Sequence, residues 1–496
     1  MAQGSCPRRA ETEIIEFNKY QIEIIELKKR NAELEAEIAE LKRQIALLKK
    51  ELYGSKSEKK RHAPRIPKIE RPASKNHPSG RKPLPEDLER EAITHDIPTE
   101  EKKCPDCGVT LQEMPPVITE QLAFRPAKLY VKRHERKQYV CPKCHEVIKT
   151  AKLPDQPIDK GLPDAALLTE VVINKYQDAL PLYRQTKRWE RLGYALSDTT
   201  LSDWVQSVAE MLNPLAEEME KDVLRGRKVN ADETPISILE PIKTHRGYMW
   251  VYVGEGATVY RYSPSRAYRN AEEFLKEFKG YVQADAYGAY DSLCDGKDRT
   301  KIGCWAHCRR KFNDILINQP EHEIAKEAIS RIGELYQIEE ELSQVSDEDR
   351  VFGRQARAGP LLKDFRQWLE SQEIFPKSAI GRAIQYTLNQ WETLGRYLGI
   401  GWIGLDNNVA ERAIRPIKLG EKNYLFAGSH RAAKNAAVLY ALIETCKMHH
   451  INTADYFQDV LERLPTTLNK DIQTLLPYNW APSSAKSADS AENCTT

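Results

Sequence analysis

After Arg227 the apolar residues stop recurring about every 3.6 positions and begin to alternate, and that change governs what the chain can build there. KVNADETPISIL (228–239), GYMWVYVG (247–254) and ATVYRYSP (257–264) are three consecutive runs of strand pattern separated by turn residues. Strands joined this closely predict an antiparallel meander. A helix near residues 266–279 follows, and GYVQAD (280–285) then reads as a fourth strand. Two of these runs carry an acid in a strand setting, Asp232 in VNADETPISIL and Asp285 in YVQADAYGAY.

A third acid, Glu411 in DNNVAERAIRP, sits on a helical stretch 126 residues after Asp285. Taken singly, an acid at a strand end is more often a turn former or a helix cap. Two Asp from neighbouring strands and a Glu from a later helix form a different constellation. They can hold two divalent metal ions against a phosphodiester. The Glu411 helix also presents Asn408, Arg412 and Arg415 at three- and four-residue spacing, with Ala410 and Ile414 on the packing side. Pro416 removes an N–H to residue 412, so a kink is expected there. Between Asp285 and Glu411 lie CWAHCRRKFNDIL and a Glu- and Leu-rich helical stretch, about 320–400, which reads as an insertion. A meander, a helix and a further strand beside the first resemble the ribonuclease H-like arrangement, in which the first and fourth strands are adjacent.

Upstream, Leu27, Leu34, Leu41 and Leu48 recur every seven residues, with Ile24, Asn31, Ile38, Ile45 and Leu52 on the other seam. This pattern predicts a leucine-zipper coiled coil over 11–53 and a parallel homodimer, or a higher oligomer built on it. The expected cross-strand charges agree, pairing Glu23 with Lys28, Arg30 with Glu35 and Glu37 with Lys42. Residues 54–98 read as a basic linker; from Gly54 to Lys82 ten Lys and Arg face only Glu58 and Glu70. Such a run is either a solvated spacer or a tether along phosphates.

Cys104, Cys107, Cys141 and Cys144 form two CxxC pairs within a domain read as 99–150, and they predict one structural Zn²⁺. The stretches VITEQLAF and KLYVKRHERKQYV between them are expected to form a hairpin. Lys128, Lys132, Arg133, Arg136 and Lys137 make that ribbon basic, with Lys132, Arg133 and Arg136 the expected DNA contacts. A redox role suits these pairs less well, since neither opens a helix after a strand. Residues 160–222 read as helices, compatible with a helix-turn-helix or with a plain helical hairpin.

The fold class expected is therefore multidomain α+β: coiled coil, small zinc-binding domain and ribonuclease H-like catalytic domain (223–450) with a helical insertion. A helical segment over 451–480 and a disordered polar tail over 481–496 complete it. Charge adds little, because 75 Lys and Arg nearly balance 73 Asp and Glu. No apolar run approaches the ~20 residues of a membrane span, and the N-terminal stretch lacks a secretory pattern. Cytoplasmic localisation is expected.

Longer blocks carry a resemblance. They are LYGSKSEKK, GRKPLPEDLERE, both CxxC pairs, LPLYRQTKRWERLGYALSDTTLSDWV, ADETP, ADAYGAY, CWAHCRRKF and DNNVAERAIRPIKLGEKNYLFAGS. In this order they resemble the large transposase of the insertion sequence sixty-six family of bacterial mobile elements. The resemblance implies an Asp-Asp-Glu triad at Asp232, Asp285 and Glu411, two Mg²⁺ (or Mn²⁺), and element ends and target DNA as partners. It also implies accessory proteins of the same element. The alternatives are a DNA-binding regulator with an inactive catalytic fold, or a nuclease that cuts without joining. Two positions depart from the family pattern: Cys308, where a small residue is expected, and Glu421, where Arg is usual. With Cys304 and His307, Cys308 could suggest a second metal site, but a helix with two thiols and a positioning His is the favoured reading.

Overall fold

The computed structural model describes residues 127–140, 148–294 and 296–482, with single positions at 30, 90 and 92. Apart from those positions, the expected zipper, the basic linker and the four zinc cysteines lie outside the described residues, as does the tail from 483. Strands β1 (Gln138–Val140) and β2 (Ile148–Thr150) pair antiparallel on either side of the second CxxC pair. The ladder expected along KLYVKRHERKQYV is therefore confined to its last three residues. Residues 127–137 are irregular and, apart from half-buried Leu129, exposed.

Three helices follow: α1 (Ala165–Tyr176), α2 (Leu182–Arg191) and α3 (Asp198–Arg225). Asp164 caps α1 through the Leu167 N–H (2.9 Å), and Ser197 caps α3 through the Thr200 N–H (3.0 Å). Helix α3 runs unbroken through Pro214 and is longer than its first amphipathic block suggests. Leu201, Trp204, Val205, Val208, Leu212, Leu215, Met219 and Val223 put a buried face along its whole length.

The central sheet contains β3 (Lys228–Ile238), β4 (His245–Val253), β5 (Thr258–Ser263), β6 (Gly280–Gln283) and β7 (Arg299–Ile302). Its order is β5-β4-β3-β6-β7. The first three strands form the meander; β6 runs parallel to β3, and β7 parallel to β6. Helix α4 (Arg269–Leu275) makes the crossover. Gly280 opens β6 at φ +149°, and a Cβ there would lie 2.3 Å from the Arg227 carbonyl oxygen, so only glycine fits. The sequence pattern does not reveal β7, whose four residues RTKI are mostly polar. Its Lys301 is buried, and its ammonium is compensated by Asp291 at 2.5 Å. The short helix α5 (Gly288–Leu293) lies between the last two strands.

After β7 come α6 (Trp305–Asn318), α7 (Glu323–Glu341), α8 (Asp347–Gly353), α9 (Gly359–Glu370), α10 (Ala379–Asn389) and α11 (Trp391–Gly395). They enclose a second apolar core that includes Trp305, Phe312, Ile332, Leu335, Phe365, Leu369, Leu394 and Ile403. The chain then returns to the sheet as α12 (Asn408–Tyr424), α13 (His430–Met448) and α14 (Thr453–Arg463). Helix α12 continues through Pro416. Helices α3 and α13 and the sheet share the first core. Among the described residues no helix is long and apolar enough to cross a membrane.

Candidate acidic active site

The parallel register of β3 and β6 sets Asn230 opposite Gln283. Side chains two apart on a strand share a face, so Asp232 and Asp285 project beyond that pair on the same side. Three buried amides then tie in the third element. Asn230 Nδ2 donates to Gln283 Oε1 (3.1 Å) and to Asn407 Oδ1 (2.8 Å). Asn407 Nδ2 donates to the Ala231 carbonyl (2.9 Å), and Gln283 Nε2 to the Gly404 carbonyl (2.8 Å). Asn407 immediately precedes α12, so these bonds fix where the helix starts. Glu411 stands in its first turn. Sequence reasoning missed the amides. Their signal was present: an amide stands two residues before each Asp.

Asp232 lies within electrostatic reach of both other acids, while the donor atoms that lie within 4.8 Å of one another belong to Glu411, His307 and Cys304. The Asp232 carboxyl is pushed up to about 8, first by burial, then by the negative charges of Glu233, Asp285 and Glu411. The Glu233 N–H donates to Asp232 Oδ1 (2.8 Å), and the Tyr287 N–H orients Asp285 by donating to its Oδ1 (2.9 Å). Glu233 itself turns to other partners. Its buried carboxylate accepts from Arg266 Nη2 (2.5 Å) and from the Tyr290 hydroxyl (3.1 Å). Burial still raises its pKa, with Arg266 opposing.

Glu411 Oε2 accepts from Arg310 Nη2 of α6 at 2.5 Å. Its other oxygen, Oε1, is buried without a hydrogen-bond partner, and so is His307 Nδ1, which lies 3.6 Å away. Burial favours the neutral imidazole, with Glu411 and Asp285 pulling the other way. Cys304 belongs to this cluster, in which one donor atom of each residue lies within 4.8 Å of the others. Its Sγ accepts the Asn407 N–H (3.1 Å), and burial pushes the thiol up to about 12. Cys308 does not join it: buried in the helical core beside Thr387, its thiol is also raised to about 12. Beside Glu411, Arg309, Arg310, Asn313, Tyr336 and Asn408 help line an open cleft of about 480 Å³.

The acid cluster suits a divalent cation. Carboxylates crowded into a buried place are costly without positive charge, and an orphaned oxygen offers a lone pair. Arg412 and Arg415 stand exposed on α12. Lys132 is engaged by Asp164 at 2.7 Å and Arg133 by Glu135 at 3.1 Å, while Arg136 is exposed. Glu421 ties α12 to the end of β3, accepting from the Ser237 N–H (3.0 Å) and hydroxyl (3.2 Å).

Comparison with known proteins places this arrangement. The model described as "Transposase IS66 family" matches residues 160–435. The zinc-finger binding domain of transposase IS66 matches residues 101–145, which include all four CxxC cysteines, and the IS66 C-terminal element matches 441–478. The class is thus a transposase, a DNA-acting protein, with a zinc-finger domain. The chain belongs to the IS66 transposase family. It is 34% identical over 421 residues to uncharacterized protein y4jD of Sinorhizobium fredii (strain NBRC 101917 / NGR234), covering 80% of this chain and 81% of that one. It is 31% identical over 432 residues to uncharacterized protein y4hP of the same strain, covering 82% and 78%.

Proposed function

We propose that Asp232, Asp285 and Glu411 are the catalytic acids of a transposase that cuts the ends of its element and joins the freed 3′-OH to target DNA. The observation that carries this reading is the buried amide network of Asn230, Gln283 and Asn407, which joins β3, β6 and the start of α12 beside a buried Asp232 carboxyl raised by burial, Glu233, Asp285 and Glu411. A ribonuclease H-like assignment is supported by the strand order, with a meander on one side of β3 and parallel strands on the other. Two Mg²⁺, or Mn²⁺ in their place, would activate the entering oxygen and stabilise the leaving one when bound. Asp232, Asp285 and Glu411 would hold these ions, which would supply charge stabilisation at the reacting phosphate.

The rest of the chain binds and orients. Arg412 and Arg415 grip phosphate oxygens near the scissile bond, and the cleft beside Arg309 and Arg310 admits the strand. Helix α3 is part of the catalytic frame, since its apolar face is spent on the core. Base reading is therefore assigned to the zinc-finger domain, with Cys104, Cys107, Cys141 and Cys144 holding one Zn²⁺. That domain and the basic linker bind the terminal inverted repeats, with Lys132, Arg133 and Arg136 adding phosphate contacts. The zipper pairs protomers so that both ends are held together, and accessory proteins of the element assist in the cell.

Replacing Asp232 or Glu411 with Ala should remove strand cleavage in Mg²⁺ while leaving end binding intact. A variant that still cuts would refute the assignment. Joined products in a strand-transfer assay separate a transposase from a nuclease or an inactive regulator.

A further inference from the structure

We propose that His307 supplies a nitrogen ligand, through Nδ1, to the divalent cation held by Glu411. The inference rests on the acidic-site reading above and adds a residue to it. Nδ1 of His307 and Oε1 of Glu411 are both buried, both lack a hydrogen-bond partner, and lie 3.6 Å apart. That separation is too long for a hydrogen bond between them. Leaving two facing polar atoms unsatisfied is costly and uncommon in a folded protein. Two donors that share one ion, each ~2.1 Å from it, stand about 3.0 Å apart at a right angle and about 3.4 Å at the tetrahedral angle, so a shift of a few tenths of an ångström would close this pair on one ion. The pair is spaced for a shared cation.

The surroundings hold His307 in that position. It lies in the first turn of α6, between Trp305 and Cys308, both buried in the helical core. Trp305 Nε1 donates to the Leu394 carbonyl at 3.1 Å, which anchors the turn. Arg310, one turn along, takes the other oxygen of Glu411 and leaves Oε1 facing the imidazole. Cys304 shares the cluster, but its sulfur already accepts the Asn407 N–H, so it positions rather than ligates. A ligand set with one imidazole binds Mn²⁺ more tightly relative to Mg²⁺ than oxygen ligands alone would.

The test is pulsed electron paramagnetic resonance of Mn²⁺ bound to the full chain, with Mn²⁺ and Mg²⁺ affinities measured alongside. Directly coordinated nitrogen is expected in the wild type. His307→Leu should lose the nitrogen signal and bind Mn²⁺ about tenfold or more weakly. His307→Asp, which keeps a ligand and guards against simple misfolding, should restore binding and shift preference toward Mg²⁺. Bound Mn²⁺ that is sensitive to Asp232→Ala but shows no nitrogen, or a nitrogen signal unchanged in His307→Leu, overturns the role of His307 and leaves the carboxylate reading standing. A wild type that binds no Mn²⁺ at all sinks both.

Discussion

The sheet core and the helical insertion core are built by different rules, and the site lies where they meet. The sheet core depends on pairing between distant strands, and it delivers Asp232 from within β3 and Asp285 from just past the end of β6. The insertion is a set of amphipathic helices around its own apolar centre. It is pinned by Arg354, only 1% exposed, on a single π turn. Its guanidinium binds Glu339 through Nε (2.7 Å) and Nη2 (2.6 Å). It also donates to the carbonyls of Tyr397, Ile400 and Ile403. The sheet supplies acids, and the insertion supplies His307 and Arg310, which face Glu411. On the proposed reading the helical core is thus a wall of the candidate site rather than an appendage.

Breaking one side at a time tests that contrast. The largest effect belongs to the acids: Asp232→Asn should lower strand cleavage by about a thousandfold or more with the fold intact, as read by circular dichroism and end binding. Arg354→Met comes next. It strands the Glu339 carboxylate and should cost about 3–5 kcal/mol. Hydrogen exchange should quicken across residues 323–405 before it does in β3 and β4; equal loss in both would mean that the two cores unfold as one. Asn407→Leu removes the bonds that seat α12 and leaves buried partners unsatisfied, at about 2–4 kcal/mol. Its cleavage rate should fall more than its DNA affinity.

The pH dependence sharpens the comparison further. Asp232 titrates at about 8 in the folded chain, well above the ~3.9 of an unfolded Asp. Between those values the native state holds the extra proton, so this carboxyl's contribution to metal-free stability is full below about pH 4 and is lost as pH rises through 8. The decline should be on the order of 1–3 kcal/mol, absent in Asp232→Asn and flattened by Mg²⁺. Denaturant titrations at pH 5 and 8 would read it, and a metal-free wild type more stable at pH 8 than Asp232→Asn would contradict it. The smallest effect is expected from Arg412→Ala with Arg415→Ala, both exposed. DNA binding should weaken several-fold, with a salt slope shallower by about 2.

Much of the sheet region was legible because alternation is a local signal. The meander, the crossover helix and the fourth strand all stand where the apolar pattern puts them. Strand β7 escaped notice because buried Lys301 is compensated by a residue from another element, which no periodicity records. Helix α3 outran its expected end because Pro214 leaves the buried face unbroken on either side. In the zinc region the described pairing is between residues 138–140 and 148–150, and the stretch VITEQLAF of the expected hairpin lies outside the described residues. For the candidate site, the sequence proposes the three acids from their settings. His307 stood in the sequence as a positioning residue, and only its place opposite Glu411 gives it a partner.

Alternating and helical periodicities, cap residues and the chemical types of the acids act over a few residues, so the chain's local order is written in its composition along the line. The joining of β3, β6 and α12, and the approach of His307 to Glu411, are of another kind. They depend on the amide bonds from Asn230 to residues 53 and 177 positions away, and on a second core that holds α6 against α12. Contacts at that range form only when whole elements pack, because each bond alone is too weak to order the chain between its ends.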